Sequence, residues 1–211
     1  FLKKYAEYLI AKGQNIGILE NDFGAVNVDM MLLQDLMGDN CELEMVSGGC
    51  DADCHRRRFK TKLIAMGMCG YDRVIVEPSG IFDVDEFFDA LHEEPLDNWY
   101  EIGNVIAVVD AELENELSAE ADYLLASEAA NAGKILLSHA DEADGVQIEQ
   151  TIAHLNRAIA QIGCKRRFDT EIVKKGTIQL TDSDLESFSR CGYVYENYQK
   201  MDLSEQNGFQ S

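Results

Sequence analysis

Short, uninterrupted apolar runs alternate with amphipathic segments along this chain, and this alternation restricts the possible fold more than any other feature. The runs at 74–76, 105–109 and 135–137 contain only apolar residues. Strands of that composition are buried on both faces, which is typical of a parallel sheet covered by helices. Between 148 and 162, apolar residues recur every three or four positions, as on a helix that packs one face against a sheet. The pattern therefore predicts an α/β domain with a parallel sheet in three layers.

Charge and composition exclude several classes of partner. The 211 residues carry a formal charge of −21, which repels phosphate backbones and argues against a nucleic acid partner. No apolar run reaches the roughly 18 residues of a membrane span, and the first residues lack the apolar stretch of a signal peptide. We therefore expect a cytoplasmic protein without membrane contact, in which the six cysteines stay reduced.

The residues that follow each strand are the candidates for chemistry, because ligands of open parallel sheets bind beyond the carboxyl ends of the strands. Four such places occur, at 20–24 (Glu-Asn-Asp-Phe-Gly), 77–80 (Glu-Pro-Ser-Gly), Asp110 and 138–141 (Ser-His-Ala-Asp). A strand-end carboxylate followed three residues later by glycine suits a terminal phosphate, since the carboxylate orients Mg²⁺ or its water and the glycine amide approaches a phosphate oxygen. Asp141 can accept hydrogen bonds from the two adjacent N–H donors of guanine. The alternative is that Asp141 caps the next helix.

The order of the motifs resembles a known family. The motifs are Asn-Asp-Phe-Gly at 21–24, Ser-Gly-Gly-Cys at 47–50, Glu-Pro-Ser-Gly at 77–80, Val-Val-Asp-Ala at 108–111 and Ser-His-Ala-Asp at 138–141. This series is similar to the CobW family of P-loop GTPases, relatives of HypB and UreG, over residues 1–180. The resemblance implies a P-loop NTPase fold and GTP hydrolysis with Mg²⁺, coupled to delivery or insertion of a transition metal. Zn²⁺ is the first candidate, with Co²⁺ and Ni²⁺ as alternatives. The implied partners are guanine nucleotide and a metal-recipient protein, and a homodimer is an open option.

The resemblance also implies roles for individual residues. Glu77, Asp22 and Gly80 would be catalytic, because they would organise Mg²⁺ and water and contact the γ-phosphate. The nucleotide-binding residues would be Asn21, Gly24, Ser79, Ser138 and Asp141. His139 stands where the family usually has lysine, so a preference for GTP is expected but weakened.

Two cysteines carry the predicted metal site. The family's Cys-x-Cys-Cys is replaced by Cys-Asp-Ala-Asp-Cys-His at 50–55. The apolar spacing predicts that the next helix covers 58–68. If the loop runs into this helix, Cys50 and Cys54 stand one turn apart and could share a tetrahedral Zn²⁺, with His55 or an aspartate of the loop as a further ligand. A site with two thiolates and an open position would bind metal reversibly, as a delivery protein requires. The alternative is that both cysteines are ordinary thiols.

The phosphate-binding motif GxxxxGK[ST] does not occur in the 211 residues, although its amides and lysine hold the β- and γ-phosphates in the family. We therefore expect these residues to form a fragment that is inactive by itself. Residues 1–180 would be the GTPase domain without its first strand and loop, and 181–211 a linker and the first strand of a small, truncated C-terminal domain, with that strand at 192–200. The alternative function is a non-hydrolysing metal-binding or regulatory module that keeps only the scaffold.

Overall fold

A computed structural model describes residues 1–22, 28–47, 52–78, 84–114 and 116–201. The chain divides into two compact units, Phe1–Glu101 and Ile102–Ser211. Helices and parallel strands alternate in both units, so the predicted α/β class with parallel sheets is confirmed. Within the described ranges, no helix is both long and apolar enough to cross a membrane.

The first unit contains a three-stranded parallel sheet. Its elements are α1 (Leu2–Ala11), β1 (Ile16–Asp22), α2 (Val28–Leu33), β2 (Cys41–Ser47), α3 (Ala52–Gly67), β3 (Arg73–Pro78), α4 (Val84–Leu91) and α5 (Leu96–Trp99), with a 3₁₀ turn at Gln34–Leu36. The strand order is β2-β1-β3, with Ile16 opposite both Cys41 and Arg73. The chain thus crosses from β2 over β1 to β3 through α3, as parallel strands require.

Helix α3 packs closely on the sheet because β1 contains a glycine. Phe59, Leu63 and Met66 of α3 are buried against Leu19. A β-carbon added to Gly17 would lie only 2.6 Å from the terminal methyl group of Met66. A larger residue at position 17 would therefore displace the end of the Met66 side chain and crowd the ring of Tyr71.

The second unit is built in the same way. Its elements are β4 (Ile106–Asp110), α6 (Ala119–Ala130), β5 (Lys134–Ser138), α7 (Gly145–Gln161), β6 (Ile172–Val173), a 3₁₀ turn (Thr177–Gln179) and α8 (Asp182–Ser189). The strand order is β4-β5-β6, all parallel. Ile135 and Leu137 are fully buried, and α7 covers them with the apolar face that the spacing predicts, including Leu155 and Ile159.

The segment that follows α8 is not a regular strand, so the strand predicted at 192–200 is wrong. Tyr193 makes an isolated antiparallel bridge with Ala132, and the N–H of Val194 donates to the carbonyl of Asn131. The side-chain oxygen of Asn131 then accepts from the N–H of Glu196 at 3.0 Å. The segment is therefore held by the end of α6 instead of by a neighbouring strand. The division at residue 180 stays a prediction.

Arg166 fastens the C-terminal end of α6. Its Nη1 donates to the carbonyls of Ala130 and Ala132 at 2.7 Å each, and its guanidinium lies 4.3 Å from the ring centroid of Phe168. Carbonyls at a helix C-terminus have no partner within the helix, so these bonds satisfy groups that burial would otherwise penalise.

We expect Arg166→Ala to lower the free energy of unfolding by roughly 1–3 kcal/mol, because it leaves two carbonyls unsatisfied and removes a cation–π contact. Urea unfolding followed by circular dichroism measures this change. Arg167→Ala removes the same charge from an exposed neighbour and should change stability by less than about 0.5 kcal/mol. Equal effects of the two substitutions would contradict the role of Arg166.

Candidate nucleotide and metal sites

Two carboxylates lie side by side at the carboxyl end of the first sheet. Glu20 of β1 is opposite Glu77 of β3 in the strand register. Register partners on parallel strands point to the same face of a sheet, so both side chains share one face. Glu20 is buried, with 3% of its surface exposed, whereas Glu77 is exposed. The pair offers oxygen ligands of the kind that hard divalent cations prefer.

Glu20 is a candidate that the motif-based site prediction omits. It directly follows the apolar run Ile16 to Leu19, whose isoleucine and leucine side chains are fully buried. Carboxylates are rarely buried unless another group compensates the charge. A carboxylate directly after an apolar run, where ligands of parallel sheets bind, was therefore a usable sequence signal.

The start of α1 lies beside Glu77. Phe1, the N-cap residue of α1, lies within electrostatic range of the Glu77 carboxylate. The first N–H groups of a helix have no partner within the helix and favour anions. A helix N-terminus and a strand-end carboxylate therefore meet at this edge, where a phosphate and a divalent cation could be bound together.

The carboxyl ends of β4 and β5 are joined by several polar contacts. Ser138 Oγ donates to the carbonyl of Val109 at 3.3 Å, and His139 Nδ1 lies 3.3 Å from Asp110 Oδ1. His139 has a left-handed backbone with φ of 54°, a conformation that histidine adopts more readily than most residues other than glycine. The ring of His139 contacts Asp110 at the end of β4, and the hydroxyl of Ser138 is already hydrogen-bonded to Val109.

Asp141 does not cap the next helix, so that alternative is wrong. Asp144 is the N-cap of α7, and its carboxylate accepts from the N–H of Gln147 at 2.8 Å. Asp141 is exposed and packs directly against the backbone of Gly176, where an added β-carbon would overlap the carboxylate. The loop after β6 thus forms one wall beside Asp141, and a side chain at position 176 would displace the Asp141 carboxylate.

Two ion pairs anchor this wall. Lys174 donates to Glu149 of α7 at 2.8 Å, and Lys175 donates to both oxygens of Asp184 of α8 at 2.8 and 2.7 Å. Burial alone would raise the pKa of Asp184, but the hydrogen bond from Lys175, the bonds from Thr181 and the Lys175 charge outweigh it and lower the pKa to about 2. The loop that carries Gly176 is therefore attached to α7 by one ion pair and to α8 by the other.

Two of the predicted metal ligands, Cys54 and His55, lie on two faces of α3, which begins six residues earlier than the predicted start at 58. Cys54 is half-buried and faces a groove, whereas His55 is buried, on the same stripe as Phe59 and Leu63. Successive residues of a helix point about 100° apart, which accounts for the separation. Within the part of the chain that the structure describes, no three His, Cys, Asp or Glu side chains form a group that could hold a metal ion.

Several predicted site residues lie outside the described residues. They are Gly24, Cys50, Ser79 and Gly80. For Asn21 and Asp22 only the backbone is described, as the last two positions of β1, where Asn21 is opposite Pro78. The roles assigned to all these residues stay predictions.

Comparison with known proteins identifies the family. The family described as CobW/HypB/UreG, nucleotide-binding domain, matches residues 2–169. The chain belongs to this family. This confirms the family assignment from the motifs and is consistent with a P-loop NTPase-like domain for the α/β fold.

A zinc chaperone, YjiA of Escherichia coli (strain K12), is 27% identical to this CobW-family chain over 157 residues. That alignment covers 68% of this chain and 46% of YjiA, so the chain spans less than half of that relative. No solved structure matches the chain.

Proposed function

We propose that the full-length protein binds and hydrolyses GTP and delivers a transition metal to a recipient protein. Membership of a nucleotide-binding family and the similarity to a protein named zinc chaperone support both parts. The observation that carries the enzymatic part is the location of Glu77, at the end of β3 and beside the N-terminus of α1. A nucleotide hydrolase requires a carboxylate next to a phosphate-binding helix end.

The donor set at this edge fits Mg²⁺. Glu20 and Glu77 are oxygen donors on one sheet face, and Mg²⁺ takes oxygen ligands from one or two carboxylates and from phosphates. When bound, the ion would neutralise charge on the phosphates. Glu77 and Asp22 would hold the ion or orient the attacking water, and the amide of Gly80 would contact the γ-phosphate.

Asp141 is the proposed guanine-selective residue. Its exposed carboxylate can accept from the ring N–H and the amino group of guanine, and Gly176 leaves it room to do so. Ser138, Asn21, Gly24 and Ser79 complete the proposed nucleotide site. Ser138 would act mainly through its backbone, because its hydroxyl already donates to Val109.

Cys50 and Cys54 are the proposed ligands of the delivered metal, with Zn²⁺ as the first candidate, Co²⁺ and Ni²⁺ as alternatives, and His55 as a further ligand. The metal is cargo, so an open coordination position is an advantage. Hydrolysis would change the order of 21–24 and 77–80, which flank the carboxylates, and thereby the affinity for metal. Cytoplasmic location and a homodimer remain predictions.

We expect the double substitution of Cys50 and Cys54 by serine to weaken Zn²⁺ binding by about 100-fold, because a hydroxyl is a poor substitute for a thiolate ligand. Competition with a chromophoric chelator measures the affinity. Cys69→Ser is the matched control, since Cys69 is an exposed thiol whose Sγ donates to the carbonyl of Ala65 at 3.4 Å. Unchanged affinity in the double variant would remove both cysteines from the site.

The alternative is a module that binds metal without hydrolysis and keeps only the scaffold. Phosphate release by the full-length protein with GTP and Mg²⁺ decides between the two functions. We expect GTP-dependent release in the full-length protein and almost none from the 211 residues alone. A full-length protein that binds Zn²⁺ but releases no phosphate would support the alternative.

A further inference from the structure

An open groove of about 570 Å³ runs along the outer edge of β2. One of its walls includes Met45 and Val46, which are consecutive residues of β2. Consecutive strand residues point to opposite faces of a sheet, so a cavity that touches both must lie at the edge of the strand. The other wall is one face of α3, which includes Arg57 and Arg58.

Among the described residues, β2 has a neighbouring strand on one side only. It pairs with β1, and the strand order β2-β1-β3 makes it an edge strand. An edge strand presents N–H and C=O groups that can pair with an extended chain. The groove therefore offers main-chain hydrogen bonds along one side and a helix face along the other, which is the geometry of strand addition.

The helix wall is cationic. Arg57 and Arg58 are exposed there, and Lys62 lines the groove while its ammonium lies 2.6 Å from Glu44. Even with that carboxylate included, the charges of these four residues sum to a positive value. A positive groove is unusual on a chain whose formal charge is −21, and it attracts acidic partners while the rest of the surface repels them.

Two other cations of α3 do not belong to the groove. Arg56 and Lys60 bind Glu93 at 2.9 and 2.7 Å. The hydrogen bond and charge of Lys60, with a smaller contribution from Arg56, lower the pKa of Glu93. The same helix thus carries one pair of cations that lines the groove and another pair that binds Glu93.

We propose that the groove along β2 binds an extended, acidic segment of a partner protein as an added strand of the first sheet. Main-chain bonds to the β2 edge supply affinity, and acidic side chains that face Arg57 and Arg58 supply selectivity. Cys54 lines the same groove, so a docked segment would lie beside a proposed metal ligand. Only this last connection depends on the proposed function, whereas the docking itself does not.

The test uses a fluorescein-labelled ten-residue peptide that alternates glutamate with valine, and it measures binding by anisotropy without metal or nucleotide. Replacing both Arg57 and Arg58 by glutamine should weaken binding about tenfold at low salt, with a smaller effect at high salt. Replacing both Arg56 and Lys60 by glutamine removes the same charge and should change affinity by less than about twofold. Thermal unfolding confirms that both variants are folded.

Two further measurements distinguish strand addition from binding through charge alone and from dimerisation of the chain. A peptide N-methylated at every second residue keeps its charge but loses the donors of one edge, so it should bind poorly. Full binding of that peptide, or equal losses in the two double variants, would overturn strand addition. Concentration-dependent dimerisation that disappears with Arg57→Gln and Arg58→Gln would instead make a second copy the occupant. Zn²⁺ titration is scored separately, so a failed metal role for Cys54 leaves the peptide result intact.

Discussion

Replacing Asp141 by asparagine should abolish most of the preference of the full-length protein for GTP over ATP. A carboxylate accepts from both N–H donors of guanine, whereas an asparagine amide places a donor against a donor. Two charge-assisted hydrogen bonds are each worth about 1.5–3 kcal/mol, so GTP affinity should fall about 100-fold or more. ATP affinity should hardly change. Competition against a fluorescent nucleotide measures both.

Xanthosine triphosphate provides a rescue. Its base has a carbonyl where guanine has an amino group, so the amide of the Asp141→Asn variant can donate to it. The variant should therefore bind xanthosine triphosphate more tightly than GTP. Glu142→Gln is the matched control, because it removes an exposed carboxylate from the adjacent position. If Asp141→Asn and Glu142→Gln behaved alike, Asp141 would have no part in base recognition.

Gly176→Ala should produce a weaker form of the same defect. The added methyl group would overlap the Asp141 carboxylate, and the loop has little freedom to move because Lys174 and Lys175 hold it on both sides. The carboxylate must then shift away from its position. A loss of GTP affinity of about tenfold with ATP affinity unchanged is expected, since a hydrogen bond weakens steeply when its geometry is distorted.

The strands and the parallel sheets could be predicted from the sequence because burial on both faces leaves a direct mark on composition. The start of α3 could not. Residues 52–57 are mostly polar, and the apolar spacing begins only at Phe59, so the pattern places the helix start too late. His55 occupies a core-facing position of that first turn, and a polar residue on the buried stripe conceals the periodicity.

The segment at 192–200 illustrates the opposite error. Its aromatic residues and Val194 favour an extended backbone, but none of the described strands pairs with it. Backbone groups need partners of some kind, and those of Val194 and Glu196 find them on Asn131. Residue type predicts an extended backbone here, whereas the partner of that backbone depends on tertiary structure.

In the candidate site, too, some features could be predicted from the sequence and others could not. Glu77 and Asp141 follow apolar strands, so their places at strand ends could be predicted. The contact between Asp141 and Gly176 could not be, because it joins two loops far apart in sequence through the pairing of β5 with β6. Glu20 faces Glu77 for a similar reason, since only the register of β1 and β3 brings them together.

Replacing Glu77 by glutamine should leave GTP bound and lower the rate of its hydrolysis. Glutamine keeps the size of the side chain and one acceptor oxygen, but it has no charge with which to hold a divalent cation or orient a water. Loss of a positioned acid or base typically costs roughly 10²–10⁴-fold in rate. We expect kcat to fall about 10²-fold to 10³-fold, within that range. Phosphate release under saturating GTP measures it, and the KM for GTP should change only a few-fold.

A substitution that lowers kcat but leaves KM nearly unchanged indicates a catalytic role of Glu77, whereas a structural role would also lower the thermal unfolding midpoint. Glu77 is exposed near the carboxyl end of β3, so the substitution removes little packing, and the thermal unfolding midpoint should be preserved. Glu7→Gln is the control, because Glu7 is an exposed carboxylate on α1 and its substitution should leave both parameters unchanged. A variant at Glu77 with normal kcat, or one whose loss appears only in KM, would show that hydrolysis uses another carboxylate. Glu20, its neighbour in the register, would then be the first to examine.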